Sequence, residues 1–265
     1  MNEIRIRSWE ELQERLFEDS WNEELGRFRS DYAFRGTDDA AYPLMTSITR
    51  LGGDIENLER HLLRNFRKYA QRDVVEKDDL WYWLSVAKHH GLPTRLLDWT
   101  FSPFVAMHFA TSDMERYGAD AAIWVVDYVK VHKLLPKKLT AALEEEGSNT
   151  LTVEMLSGVV GTLEDLNQMQ SEDFLGFLEP PSIDERIVNQ YALLSIMADP
   201  KTRLDEWLEG RPHLWKKVVI PAELKWEIRD KLDQANVTER VLFPGLDGLS
   251  RWLRRHYTPK QGETG

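Results

Sequence analysis

Thr94-Arg95-Leu96-Leu97-Asp98-Trp99-Thr100, followed at once by Phe101-Ser102-Pro103-Phe104, sets a short extended run against the start of a helix. Ser102 is a good N-cap and Pro103 suits the first helical position, so the new helix begins there and continues to about Ser112. That segment is apolar nearly all round, which predicts a buried helix. Just upstream, Asp79 to His89 carries Leu80, Trp83, Leu84 and Ala87 on one side and is stopped by Gly91 and Pro93. Helix, strand, polar loop and helix therefore follow one another, as in a chain that mixes both element types around one core.

Outward from this stretch the same pattern repeats. Asp31-Tyr32-Ala33-Phe34-Arg35-Gly36 alternates as a strand that ends at a glycine, and Ala121–Tyr128 is an apolar, β-branched core strand. Ser8 opens an amphipathic first helix through Trp9, Leu12, Leu16 and Phe17. From Asp54 a second helix sets Ile55, Leu58, Leu62, Phe66 and Tyr69 against a basic stripe of Arg60, Arg64, Arg67 and Lys68. Residues from about 130 to 180 are more polar and read as helical pieces and loops inserted between strands. After Pro180-Pro181, Glu185–Met197 reads as one or two strands and Trp215–Ile220 as another, before a last helix containing Leu249, Trp252 and Leu253. The expectation is a single α+β domain over residues 1–258, with a mainly antiparallel or split sheet flanked by helices and a polar tail at 259–265. Within it, core motifs span 28–128, the helical insertion about 130–180, and C-terminal strands and helix 183–257.

Composition narrows the chemistry. The 265 residues hold 34 Lys and Arg against 45 Asp and Glu, so a net charge of −11 gives no general attraction to a phosphate backbone. Without cysteine there is no disulfide, thiol nucleophile, zinc ribbon or Fe–S cluster, and a cytoplasmic location is the expectation. No apolar stretch long enough to span a membrane, and no leader-like start, is read in the chain. Phosphate-binding glycine loops, H-E-x-x-H, G-x-S-x-G and calcium loops are missing. His89-His90 is a poor metal pair, since neighbours on a helix point about 100° apart; packing of one ring and helix capping by the other is the better reading.

Two polar clusters remain, each where a strand meets a loop. In Phe34-Arg35-Gly36-Thr37 a planar guanidinium suited to pyrophosphate or carboxylate leaves a strand beside a glycine that admits close approach of a ligand. In Asp98-Trp99-Thr100-Phe101-Ser102 a carboxylate, an indole and two hydroxyls precede a helix N-terminus. Together they suit an anionic, ring-containing ligand, with Trp99 or Tyr82 available to stack and Arg95 available to clamp phosphate. The alternative at equal weight is an internal Arg35–Asp98 ion pair with Trp99 as core.

The chain resembles the FRG domain family. The likeness rests on Phe34-Arg35-Gly36, on His89-His90-Gly91-Leu92-Pro93-Thr94-Arg95-Leu96-Leu97-Asp98-Trp99-Thr100 with its continuation from Ser102 to Ala110, on Arg186-Ile187-Val188-Asn189-Gln190, and on Leu242 to Leu249. Lys88 stands where the family often has Gln, and Tyr191-Ala192 replaces a usual Gln-Gly. More distantly, Arg35-Gly36-Thr37 followed by a hydroxyl-bearing loop and helix is similar to the arginine and Ser-Thr-Ser segments of arginine-type ADP-ribosyltransferases. That resemblance implies NAD as substrate, held by Arg35, Gly36, Thr37, Arg95, Trp99, Thr100, Ser102 and Gln190, with no metal. It also implies a catalytic set of Arg35 with Glu185, placed at the start of a strand, or with Asp98. The function so implied is transfer of ADP-ribose to a protein or nucleic-acid acceptor, or hydrolysis of NAD, by a toxin or antiphage-defence effector. Two alternatives stand beside it: a non-catalytic nucleotide-binding or protein-interaction module, and a metal-dependent nuclease using Asp38, Asp98, His89 or His90 around Mg²⁺.

Overall fold

The computed structural model describes residues 2–70, 78–169 and 172–260. Ten strands occur among them: β1 (Glu3–Arg5), β2 (Trp21–Asn22), β3 (Arg27–Phe28), β4 (Tyr32–Thr37), β5 (Leu96–Thr100), β6 (Ala121–Asp127), β7 (Leu151–Thr152), β8 (Leu175–Glu179), β9 (Ala192–Met197) and β10 (Trp215–Ile220). β2 and β3 form a separate small hairpin, and the other eight make one mixed sheet in the order β1-β10-β6-β4-β5-β9-β8-β7. Pairing is antiparallel through its middle and parallel only at its two edges, β1 with β10 and β7 with β8. Helices cover the sheet, so the expected α+β architecture with a mainly antiparallel sheet is what forms.

Period-two alternation divides the core. On β6, Ile123 and Val125 face the helices Trp9–Phe17, Pro103–Ala110 and Lys225–Gln234, while Trp124 and Val126 face the other layer. On the far half of the sheet, Leu96, Leu178, Leu194 and Ile196 pack with the helices Leu80–His89, Lys137–Glu146, Val153–Val159 and Leu163–Asn167. Capping follows the sequence closely: Ser8, Asp54, Asp79 and Ser102 each accept a backbone N–H from the first turn of their helix.

The middle of the sheet is where it loosens. β4 pairs with β6 along its whole length, from Tyr32 with Asp127 to Thr37 with Ala122. With β5 it shares the single register pair Phe34–Thr100. A continued ladder would bring Asp98 opposite Gly36; instead the two strands part. On the opposite face of β4 the Pro103–Ala110 helix sits directly on Gly36. A Cβ there would stand 2.0 Å from the Ala106 carbonyl oxygen and 2.6 Å from the Ala110 nitrogen. Gly36 thus serves close helix–strand packing.

Two expectations are corrected. The region from 130 to 180 is not merely inserted helices and loops, since it supplies β7 and β8 to the sheet. Glu185 does not open a strand: Asp184 caps a short helix, Glu185–Asn189, and the strand begins only at Ala192.

Candidate functional site

The parting of β4 and β5 opens a cleft of about 650 Å³, within the usual range for a small-molecule site. Arg35 points into the gap from β4, and its Nη1 donates to the Asp98 carbonyl at 2.6 Å. That carbonyl is the one left without a strand partner where the ladder breaks. Arg35 Nε is shut off from water and has no partner among the described residues. Burial lowers the arginine's pKa, and the Asp98 charge opposes that shift only in part, so the cation stands in a poorly solvated place with a donor to spare.

The ion pair considered between Arg35 and Asp98 does not form. The Asp98 carboxylate turns outward and takes Lys88 Nζ at 2.5 Å, leaving Arg35 with the carbonyl of the same residue. Lys88 comes from the Leu80–His89 helix, whose spacing also turns Ser85 and His89 to the cleft, three and four positions apart. Ser85 is 3% exposed and its Oγ has no partner among the described residues. His89 Nε2 meets the Asp184 carboxylate, which ties this wall to the opposite one, the Glu185–Asn189 helix with Arg186 and Ile187. The Arg186 guanidinium lies over the Phe243 ring at 4.8 Å. Trp99, Leu193 and Leu194 supply apolar lining. The cleft therefore combines four side chains that are or can become cationic (Arg35, Lys88, His89 and Arg186) with apolar surface, and its carboxylates are Asp38 and Asp98.

Of the residues singled out in the sequence, the cleft gathers Arg35, Gly36, Thr37, Asp98, Trp99, Thr100 and Gln190. Several of them have structural bonds. Thr37 Oγ1 donates to the Ala122 carbonyl at 3.3 Å, and Trp99 Nε1 donates to Ser195 Oγ at 2.8 Å. Thr100 Oγ1 donates to the Gln190 carbonyl at 2.8 Å and accepts from the Ser102 N–H at 3.0 Å, while Gln190 Nε2 donates to the Leu242 carbonyl at 2.9 Å. Four residues lie outside the lining. Ser102 Oγ caps the helix by accepting from the Val105 N–H. Arg95 is buried behind β5, where its Nε meets Glu59 at 2.7 Å and its Nη1 donates to Asn167 Oδ1 and the Ala198 carbonyl. Glu185 is exposed on its helix. Tyr82 packs in the core at 6% exposure. The sequence reading missed Ser85, Lys88 and Arg186 as cleft residues. The i, i+3, i+4 spacing of Ser85, Lys88 and His89 is the signal that finds the first two.

His89 and His90 sit ring edge to ring face, with centroids 5.3 Å apart. Among the described residues no three His, Asp or Glu side chains are grouped so as to hold a metal ion.

The fold and cleft define an α+β protein with a ligand-sized opening at a parted central sheet. Residues 30–118 match the FRG domain family. That stretch contains β4, β5 and the Leu80–His89 and Pro103–Ala110 helices, and so one side of the cleft; the wall from Pro180 to Leu194 lies beyond it. No curated protein and no solved structure matches the chain. Among the described residues no helix is long and apolar enough to cross a membrane.

Proposed function

We propose that the cleft binds NAD, with Arg35 holding its pyrophosphate or ribose. The observation that carries this reading is the Arg35 guanidinium, set in the gap between β4 and β5 with a buried donor left over and no carboxylate of its own. A half-buried cation with a shielded donor and no counter-ion is poorly solvated, and a bound anion relieves that cost. Lys88, Arg186 and the Ser85 hydroxyl add donors around the same space, and the apolar lining suits a base or nicotinamide ring.

A second reading, cleavage of the bound NAD in the manner of an ADP-ribosyltransferase or NAD glycohydrolase, rests on Asp98. Breaking the nicotinamide–ribose bond builds positive charge on the ribose, which a carboxylate on the cleft wall stabilises. Asp98 lines the cleft whereas Glu185 does not, so Asp98 takes the acidic role in this reading and must first give up Lys88.

Two assays separate the readings. Addition of NAD to the purified chain is expected to raise its Tm by preferential binding to the folded state. Release of nicotinamide that is lost in Asp98→Asn establishes cleavage. A rise in Tm without nicotinamide release leaves the binding module alone, and no change in Tm at millimolar NAD removes both.

A further inference from the structure

The last helix, Leu246–His256, is packed inside out. Its inward side is polar: Gly248 and Arg255 are the buried positions. Arg255 is 4% exposed, with Nε on Glu239 at 2.7 Å and Nη2 on Asp233 at 2.6 Å. Gly248 lies so close to the preceding turn that a Cβ would stand 1.8 Å from the Phe243 carbonyl oxygen. The outward side is apolar: Leu246 is 79% exposed, Leu249 37%, Leu253 39%, and Tyr257, just past the helix end, 78%. At about 100° per residue these four positions fall within one narrow stripe along the helix. A helix on a folded domain ordinarily turns such a stripe to the core. Here the ion-paired arginine holds the opposite side down, and the stripe faces outward as a contiguous apolar strip.

We propose that this stripe pairs with the same stripe of a second copy of the chain, the two helices running antiparallel about a two-fold axis. Charge selects this occupant. Asp247 and Arg254 are both exposed and border the stripe on the same side, two turns apart. Antiparallel pairing centred between Ser250 and Arg251 sets Asp247 of each copy opposite Arg254 of the other, and Leu249 beside Leu253. Parallel pairing would leave the two borders on opposite edges of the interface, so neither charge would meet its complement. An anionic lipid surface fits less well, because Asp247 lies on the rim, Arg255 is turned inward onto carboxylates and the chain carries a net charge of −11. One pair of short helices buries less than the ~1,200 Å² of a standard stable interface. The dimer is therefore reversible, forming in the micromolar range or above.

Sedimentation equilibrium of the full chain over a micromolar concentration series tests this. The weight-average mass is expected to rise with concentration from the 31.0 kDa of one chain towards twice that value. Leu253→Asp should hold it at one chain with an unchanged Tm, since Leu253 is outside the core. Asp247→Arg and Arg254→Asp should each weaken the dimer roughly tenfold or more by opposing like charges, and the double exchange D247R/R254D should restore it. A mass that stays at one chain throughout, a dimer indifferent to Leu253→Asp, or a double exchange that fails to restore association overturns the proposal. So does a monomer that instead co-sediments with vesicles of phosphatidylserine, which would make lipid the occupant.

Discussion

Arg35 on β4 and Arg95 just before β5 lie in neighbouring stretches of the molecule, yet their surroundings differ in kind. Arg95 is 2% exposed and fully engaged: the Glu59 carboxylate takes its side chain and its own N–H, and Asn167 and Ala198 take Nη1. Arg35 has one carbonyl, a shielded Nε without a partner, and a nearby carboxylate that has turned to Lys88. A buried cation with its counter-ion is part of the frame, whereas a half-buried one without it is, in our proposal, where a bound anion sits. The sequence alone places both in polar motifs of similar appearance. The partner makes the difference, and Glu59 reaches Arg95 from the remote helix Ile55–Tyr69.

The comparison breaks most visibly at Arg95. Arg95→Ala leaves Glu59 buried and unpaired and is expected to cost about 3–5 kcal/mol, read as a lower denaturation midpoint. A cost below about 1 kcal/mol would remove the distinction between the two arginines. Gly36→Ala follows at about 3 kcal/mol, because its methyl group meets backbone of the Pro103–Ala110 helix that no rotamer change can move. Wild-type stability in that variant would show that the helix yields to the added methyl group.

Acid probes the frame next. Burial, with the Arg229 charge beside it, pushes His108 down to about 3, and burial pushes His132 down to about 4. Both rings are held neutral by their bonds: His108 Nδ1 accepts from Arg229 at 2.9 Å, and His132 Nε2 accepts from the Phe177 N–H at 2.8 Å. The unfolded chain takes these protons near pH 6.5 and the folded chain does not. Stability therefore falls on acidification, by on the order of 2 kcal/mol between pH 6.5 and 5.5, as thermal melts at the two values would record. His108→Gln and His132→Gln together should flatten that slope. The smallest effect belongs to Glu185→Gln. An exposed side chain outside the cleft should change stability by less than about 0.5 kcal/mol and leave the NAD-induced rise in Tm untouched. A lost ligand response in that variant would return Glu185 to the site.

Much of the frame was legible in the chain. N-cap residues announced the helix starts at Ser8, Asp54, Asp79 and Ser102, and the β-branched run of β6 declared a buried strand. β8 escaped because Leu175-Gly176-Phe177-Leu178 is a short apolar run that periodicity cannot distinguish from a buried helical turn. Glu185 is hard to place for a related reason: Ile187 and Val188 look like strand residues, although Asp184 caps a short helix there. In the site, Arg35 and Asp98 could be found from strand ends alone. That Asp98 would give Arg35 its carbonyl and Lys88 its carboxylate depends on where the ladder breaks, which no local pattern encodes.

Calorimetric titration of NAD into the wild-type chain and into Arg35→Ala tests the central claim most directly. Saturable binding at one site per chain is predicted for the wild type, with no measurable heat of binding for Arg35→Ala, whose Tm should lie close to that of the wild type. Equal binding by both proteins, or none by the wild type, would contradict it.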